Sequence, residues 1–168
     1  MLKGLDPILP DRPRVLIVGT FPGEASREAR KYYWHPRNAF WPIMAVLTGG
    51  PLPDDYEARL QVLRDHGIAV WDVFDRCSRA PGTGSDDGGI RDPRPNRIPE
   101  LLRAHPGLRV GFNGKNAPRF YRRYIGPLPS PHVILPSTSP AAARLTVAQK
   151  TALWQERLGF RPVLPNRR

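Results

Sequence analysis

Val15-Leu16-Ile17-Val18-Gly19-Thr20-Phe21-Pro22-Gly23 is the stretch that decides how this chain folds. An unbroken apolar, largely β-branched run ends at Gly and Pro. Such a run is short for a helix and apolar on both faces, which marks a strand buried inside a parallel sheet. We place that strand over Arg14 to Val18. The loop after it then leaves the carboxyl end of a central strand, where open α/β sheets bind ligands. Five residues beyond Ser26 the loop continues as Tyr32-Tyr33-Trp34-His35-Pro36-Arg37-Asn38-Ala39-Phe40-Trp41. Aromatics, one His, one Arg and one Asn make this segment the expected reaction centre.

Outward from it, strands and helices alternate. A helix begins near Asn38, with Phe40, Ile43, Met44 and Leu47 on one face, and Gly49-Gly50-Pro51 stops it. A second helix spans residues 54–66, capped by Asp54 or Asp55. Further strands are read over residues 67–74, 108–112 and 132–135. A short helix covers residues 98–105, and another follows Asn113-Gly114 with Ala117, Phe120, Tyr121 and Tyr124 inward. Thr146 and Gln149 have the spacing of a capping box, opening a last helix that runs to Leu158 and ends at Gly159. Residues 1–13 read as an arm over the core and residues 79–97 as a long loop. The expected fold is one α/β domain over residues 1–168, a three-layer αβα sandwich around a four-stranded parallel sheet.

Composition narrows the function. Of 168 residues, 26 are Lys or Arg and 15 are Asp or Glu, a formal charge of +11 that suits a nucleic-acid partner. A lone cysteine, Cys77, permits no intrachain disulfide or cysteine metal site, and the four histidines lack ligand spacing. The first loop lacks Gly-x-Gly-x-x-Gly, which sets aside a dinucleotide oxidoreductase. No signal core or apolar span is present, so we expect a cytoplasmic protein away from membranes.

Two motifs carry a resemblance. Gly19-Thr20-Phe21-Pro22-Gly23 with His35-Pro36-Arg37-Asn38-Ala39-Phe40-Trp41 is the first; Leu135-Pro136-Ser137-Thr138-Ser139-Pro140 is the second. Together they resemble the signatures of the uracil-DNA glycosylase superfamily, over residues 13–160, and most nearly its hypoxanthine-DNA glycosylase branch. The mismatch-specific uracil glycosylases share the His-Pro-x-Asn-x-Phe-Trp run. The resemblance implies a monofunctional enzyme that flips a deaminated base out of DNA and hydrolyses its bond to deoxyribose, using no cofactor and no metal. Its partner is DNA carrying damaged bases, met by a monomer. A mismatch-specific uracil glycosylase and a catalytically silent DNA-binding module of the same fold stand as alternatives.

Roles follow from that likeness. Asn38 aligns the attacking water, a task an uncharged amide can perform; its position also fits a helix cap. Uracil branches place Asp or Asn where Phe21 stands, and a His where Leu135 stands, so both usual catalytic positions are apolar here. Tyr33 is the stacking wall for the base, with Tyr32 and Phe21 as substitutes. Gly19, Thr20, Asp72 and Asn113 surround the base, Asn113 ranking above Asp72; both also suit structural tasks, Asn113-Gly114 as a turn. Ser137, Thr138 and Ser139 meet phosphates, His35 and Arg37 lie on the DNA side, and Arg144 or Leu145 fills the gap left by the flipped base. Asp86-Asp87 stand out in so basic a chain, within a longer insertion than the branch carries.

Overall fold

The computed structural model describes residues 1–160. Its centre is a parallel sheet ordered β3-β2-β6-β7, built from β2 (Val15–Gly19), β3 (Ile68–Asp72), β6 (Arg109–Asn113) and β7 (His132–Leu135). Every residue of β2 is buried, as an apolar run with no polar alternation requires. Its side chains divide by parity: Val15 and Ile17 join one core, Leu16 and Val18 the other.

The first core is covered by α2 (Phe40–Leu47), α3 (Tyr56–Asp65) and α6 (Val147–Leu158). The second is covered by α4 (Ile98–Ala104) and α5 (Asn116–Tyr124), together with a small antiparallel sheet. The three-layer expectation therefore holds. So do the caps: Asp55 accepts from the Ala58 N–H, and Thr146 and Gln149 form the reciprocal box. Among the described residues no helix is long and apolar enough to cross a membrane.

Two expectations need correction. Residues 79–97 are not a loop. β4 (Phe74–Arg79) and β5 (Ile90–Pro95) pair as an antiparallel hairpin whose tip holds a 3₁₀ turn at Asp87–Gly89. Its Gly and Pro residues gave no strand signal, and the pairing tolerates them because it is irregular, with register shifts on either side of Arg76. Second, the apolar run 67–74 divides at Val73, feeding β3 into the main sheet and β4 into the small one. The arm lies over the core as expected, with β1 (Leu2–Lys3) added to β4 and Ile8 bridging Val70. A short helix, α1 (Glu24–Ala29), also stands inside the first loop.

The chain leaves β2 for β3 on one side and later returns to place β6 on the other. The carboxyl ends of β2 and β6 thus flank the topological switch point of the sheet, where such folds hold ligands.

Candidate active site

The carboxyl edge of the sheet brings together residues far apart in sequence. Gly19 pairs in register with Asp72, and Asn113 with Leu135. The two motif loops are joined by the Ala39 N–H, which donates to the Thr138 carbonyl at 2.9 Å.

Asn38 lies half-buried at the start of α2. Its Oδ1 accepts from the Phe40 N–H at 2.9 Å. That bond anchors the side chain in the manner of a cap while leaving one Oδ1 lone pair and the amide N–H groups. Helix α2 therefore starts two residues later than the sequence suggests. Asn38 also lines a cleft of about 360 Å³ with Tyr33, Trp34, His35, Pro36, Trp41, Pro42 and Arg59. A larger hollow, about 500 Å³, is walled by residues such as Arg14 and Gly67, just ahead of β2 and β3. It sits at the amino edge, away from the switch point.

Tyr33 connects the cleft to the sheet. Its backbone is left-handed, φ 53°, a conformation uncommon for a bulky residue. Its ring stacks on buried Phe40 with centroids 4.1 Å apart. Its hydroxyl is buried beside Asp72 without a hydrogen-bond partner. Burial, then the Asp72 charge, raise the Tyr33 phenol well above its ordinary range. The Asn113 amide lies close enough to ease that shift, yet no hydrogen bond joins it to the hydroxyl. Neighbouring Tyr32 is spent on the scaffold, its hydroxyl donating to the Asp6 carbonyl at 2.9 Å.

Asp72 is 4% exposed, and its Oδ2 has no partner. Burial, and secondarily the charge of Asp87, push its carboxyl up to about 7. Asp87 comes from the hairpin tip, where it accepts from Asn116 Nδ2 at 3.2 Å and lies near the Thr20 hydroxyl. Burial raises Asp87 as well. Nothing in the sequence brings Asp87 to this edge, because the hairpin that carries it has no strand signature.

Other residues expected at the site have different tasks. Asn113 donates from Nδ2 to Thr138 Oγ1 and accepts at Oδ1 from the Thr138 N–H, both at 3.0 Å. It latches the second motif loop, and those two bonds leave one Nδ2 hydrogen unused. Thr138, expected at phosphates, is buried with its N–H, hydroxyl and carbonyl all engaged. Phe21 turns into the second core beside Phe74 and Cys77 and does not line the cleft. Ser137 and Ser139 bend the loop, their hydroxyls accepting from the N–H groups of Ser139 and Ala141. His35 and Arg37 are both exposed, His35 lines the cleft, and its ring accepts from the Arg37 N–H. Arg144 is exposed and Leu145 half-buried. Among the described residues no group of three or more His, Cys, Asp or Glu side chains is placed to hold a metal.

Comparison with known proteins agrees with this geometry. A family model, the uracil DNA glycosylase superfamily, matches residues 7–157. A hypoxanthine DNA glycosylase of Methanosarcina barkeri is 32% identical over 156 residues, covering 92% of this chain and 96% of the relative. Its counterpart from Methanosarcina acetivorans is 33% identical over 146 residues, 86% and 90% of the two chains. The solution NMR structure of a candidate uracil DNA glycosylase from Methanosarcina acetivorans superposes with a TM-score of 0.72 at 30% identity, covering 94% of this chain and 98% of that one.

Proposed function

This chain belongs to the uracil DNA glycosylase superfamily, and on that footing we propose that it is a monofunctional DNA N-glycosylase removing deaminated bases, hypoxanthine first. Its relatives named hypoxanthine DNA glycosylases support that choice of base. The single observation supporting the proposed mechanism is that Asn38 and Tyr33 line one cleft while the Tyr33 hydroxyl reaches Gly19 and Asp72 at the carboxyl edge of the sheet.

The base leaves the stack at a cost of a few kcal/mol. Stacking along Tyr33, which Phe40 backs, returns about 1–3 kcal/mol. A base lying along that ring has its sugar end beside Asn38 and its far edge toward Asp72 and Asn113. The free lone pair of Asn38 Oδ1 accepts a hydrogen bond from a water and aims its oxygen at the anomeric carbon. As the bond from that carbon to the base nitrogen breaks, its electron pair leaves with the base. The sugar becomes oxocarbenium-like, so the water needs orientation more than deprotonation. Its oxygen bonds the sugar, and a proton ends on the base. Phe21 faces the core, so no acid or amide stands at the water-activating position of the uracil branches. That favours a purine product over uracil.

Arg37 and Arg144 are exposed and suit contacts to phosphates, with Ser137 and Ser139 on the same loop edge. The enzyme acts as a monomer in the cytoplasm. The test is a set of duplex oligonucleotides carrying one hypoxanthine, uracil or xanthine, incubated with wild type and Asn38→Ala. Wild type releases hypoxanthine fastest. Equal release by the variant removes Asn38 from the mechanism, and silence of the wild type on every base removes the function.

A further inference from the structure

Two polar groups at the sheet edge are left unanswered by the scaffold: Asp72 Oδ2 and the Tyr33 hydroxyl. The Tyr33 hydroxyl and the other oxygen of that carboxyl, Oδ1, face one point, since a Cβ on Gly19 would stand 2.9 Å from the first and 2.5 Å from the second. No cation answers the carboxyl. The two ion pairs among the described residues, Arg76–Asp75 and Arg97–Glu100, lie elsewhere. The titratable groups around Asp72 are Asp87 from the hairpin tip and the phenols of Tyr32 and Tyr33 from the loop before α2. Arg79 acts on Asp87. A buried carboxylate with neither cation nor donor is costly, and the cheaper state is the neutral acid.

A carboxylate offers only acceptors, whereas a carboxylic acid offers a donor beside an acceptor. Deamination of adenine or cytosine creates a lactam, a carbonyl beside a ring N–H, the complement of that pair. We propose that Asp72 reads the flipped base as a neutral carboxylic acid, donating to the lactam carbonyl and accepting from the adjacent ring N–H, while Asp87, brought in by the β4–β5 hairpin, keeps the proton in place. This deepens the proposed function and rests on it. The donated hydrogen bond strengthens as the departing base gains electron density, so it favours the transition state; an ionised Asp72 would oppose that charge.

The experiment has two readouts. Carboxyl ¹³C NMR of the free protein follows protonation: one aspartate titrates near neutrality in wild type and is missing from Asp72→Asn. Single-turnover release from a hypoxanthine duplex, from pH 5.5 to 9, follows function. The wild-type rate falls about tenfold per pH unit above its midpoint, the slope of one ionising group. Asp72→Asn, which cannot ionise, loses that fall, and Asp87→Asn moves the wild-type midpoint to lower pH. A fall of equal slope and midpoint in Asp72→Asn overturns base reading by the neutral acid. An unmoved midpoint in Asp87→Asn overturns the part given to the hairpin. An aspartate set fully ionised at pH 5.5 overturns the protonation state itself. Silence of the wild type on every damaged base overturns the glycosylase reading together with base reading, and is distinguished from the other failures by the wild type alone.

Discussion

Replacing Asp72 by Asn should change the pH dependence of folding in a calculable way. Asp72 titrates from an ordinary value of 3.8 when unfolded to about 7 when folded, because it is fully buried and faces Asp87. Between those values the folded chain holds a proton that the unfolded chain has lost. Stability therefore falls as pH rises through this window, and this contribution is constant above about pH 7. Each pH unit inside the window is worth about 1.4 kcal/mol. From pH 5 to pH 8 the wild type should thus lose about 3 kcal/mol relative to Asp72→Asn. That is a large share of the 5–15 kcal/mol typical of a domain. Urea unfolding of both proteins at half-unit pH steps, followed by tryptophan fluorescence, measures the difference directly. Taking the difference cancels titrations common to both proteins. Parallel curves would refute the reasoning, since they would mean that Asp72 is ionised in the folded chain or solvated by groups that the structure places elsewhere.

Three further outcomes follow. Tyr33→Phe removes a buried hydroxyl that has no partner, so folding should be unchanged or strengthened by about 1 kcal/mol while hypoxanthine release slows; denaturant midpoints and single-turnover rates report the two. Gly111→Ala would set a Cβ 2.8 Å from Leu135 Cδ1 and 3.0 Å from Leu158 Cδ2, an overpacking that should cost about 1–3 kcal/mol by the same urea assay. Affinity for undamaged duplex DNA should fall log-linearly with salt, and charge reversal of exposed Arg144 should flatten that slope by about one phosphate contact, as read by fluorescence anisotropy.

The main sheet was legible because β2 and β3 lie in apolar runs, and α3 and α6 because they carry clear caps. Val15 to Val18, Asp55 and Thr146 each stand in the structure as the sequence implied. The hairpin was hidden: β5 reads Ile-Arg-Asp-Pro-Arg-Pro, with no alternation and two prolines, and its order comes from pairing with β4. With it went Asp87, whose place beside Asp72 depends on a tertiary contact with Thr20 and Asn116. Asn38 displayed both of its readings in sequence, cap and site; the structure shows the cap-like bond, which takes one lone pair of Oδ1. Asn113 and Thr138 were legible as polar residues of the right loops. Their mutual latch was not, because a hydrogen bond across 25 residues leaves no local pattern.

Asn38 carries the central claim, and its two tasks can be separated. Asp caps a helix about as well as Asn, while Ala forfeits about 0.5–2 kcal/mol of capping. Single-turnover release of hypoxanthine from a duplex should therefore be measured for wild type, Asn38→Ala and Asn38→Asp, with binding to the same duplex and stability followed in parallel. Asn38→Ala should lose about 10²-fold or more in rate while still binding DNA, and Asn38→Asp should fold as the wild type does. A rate for Asn38→Ala within a few-fold of wild type, in a folded and DNA-bound protein, would contradict the account.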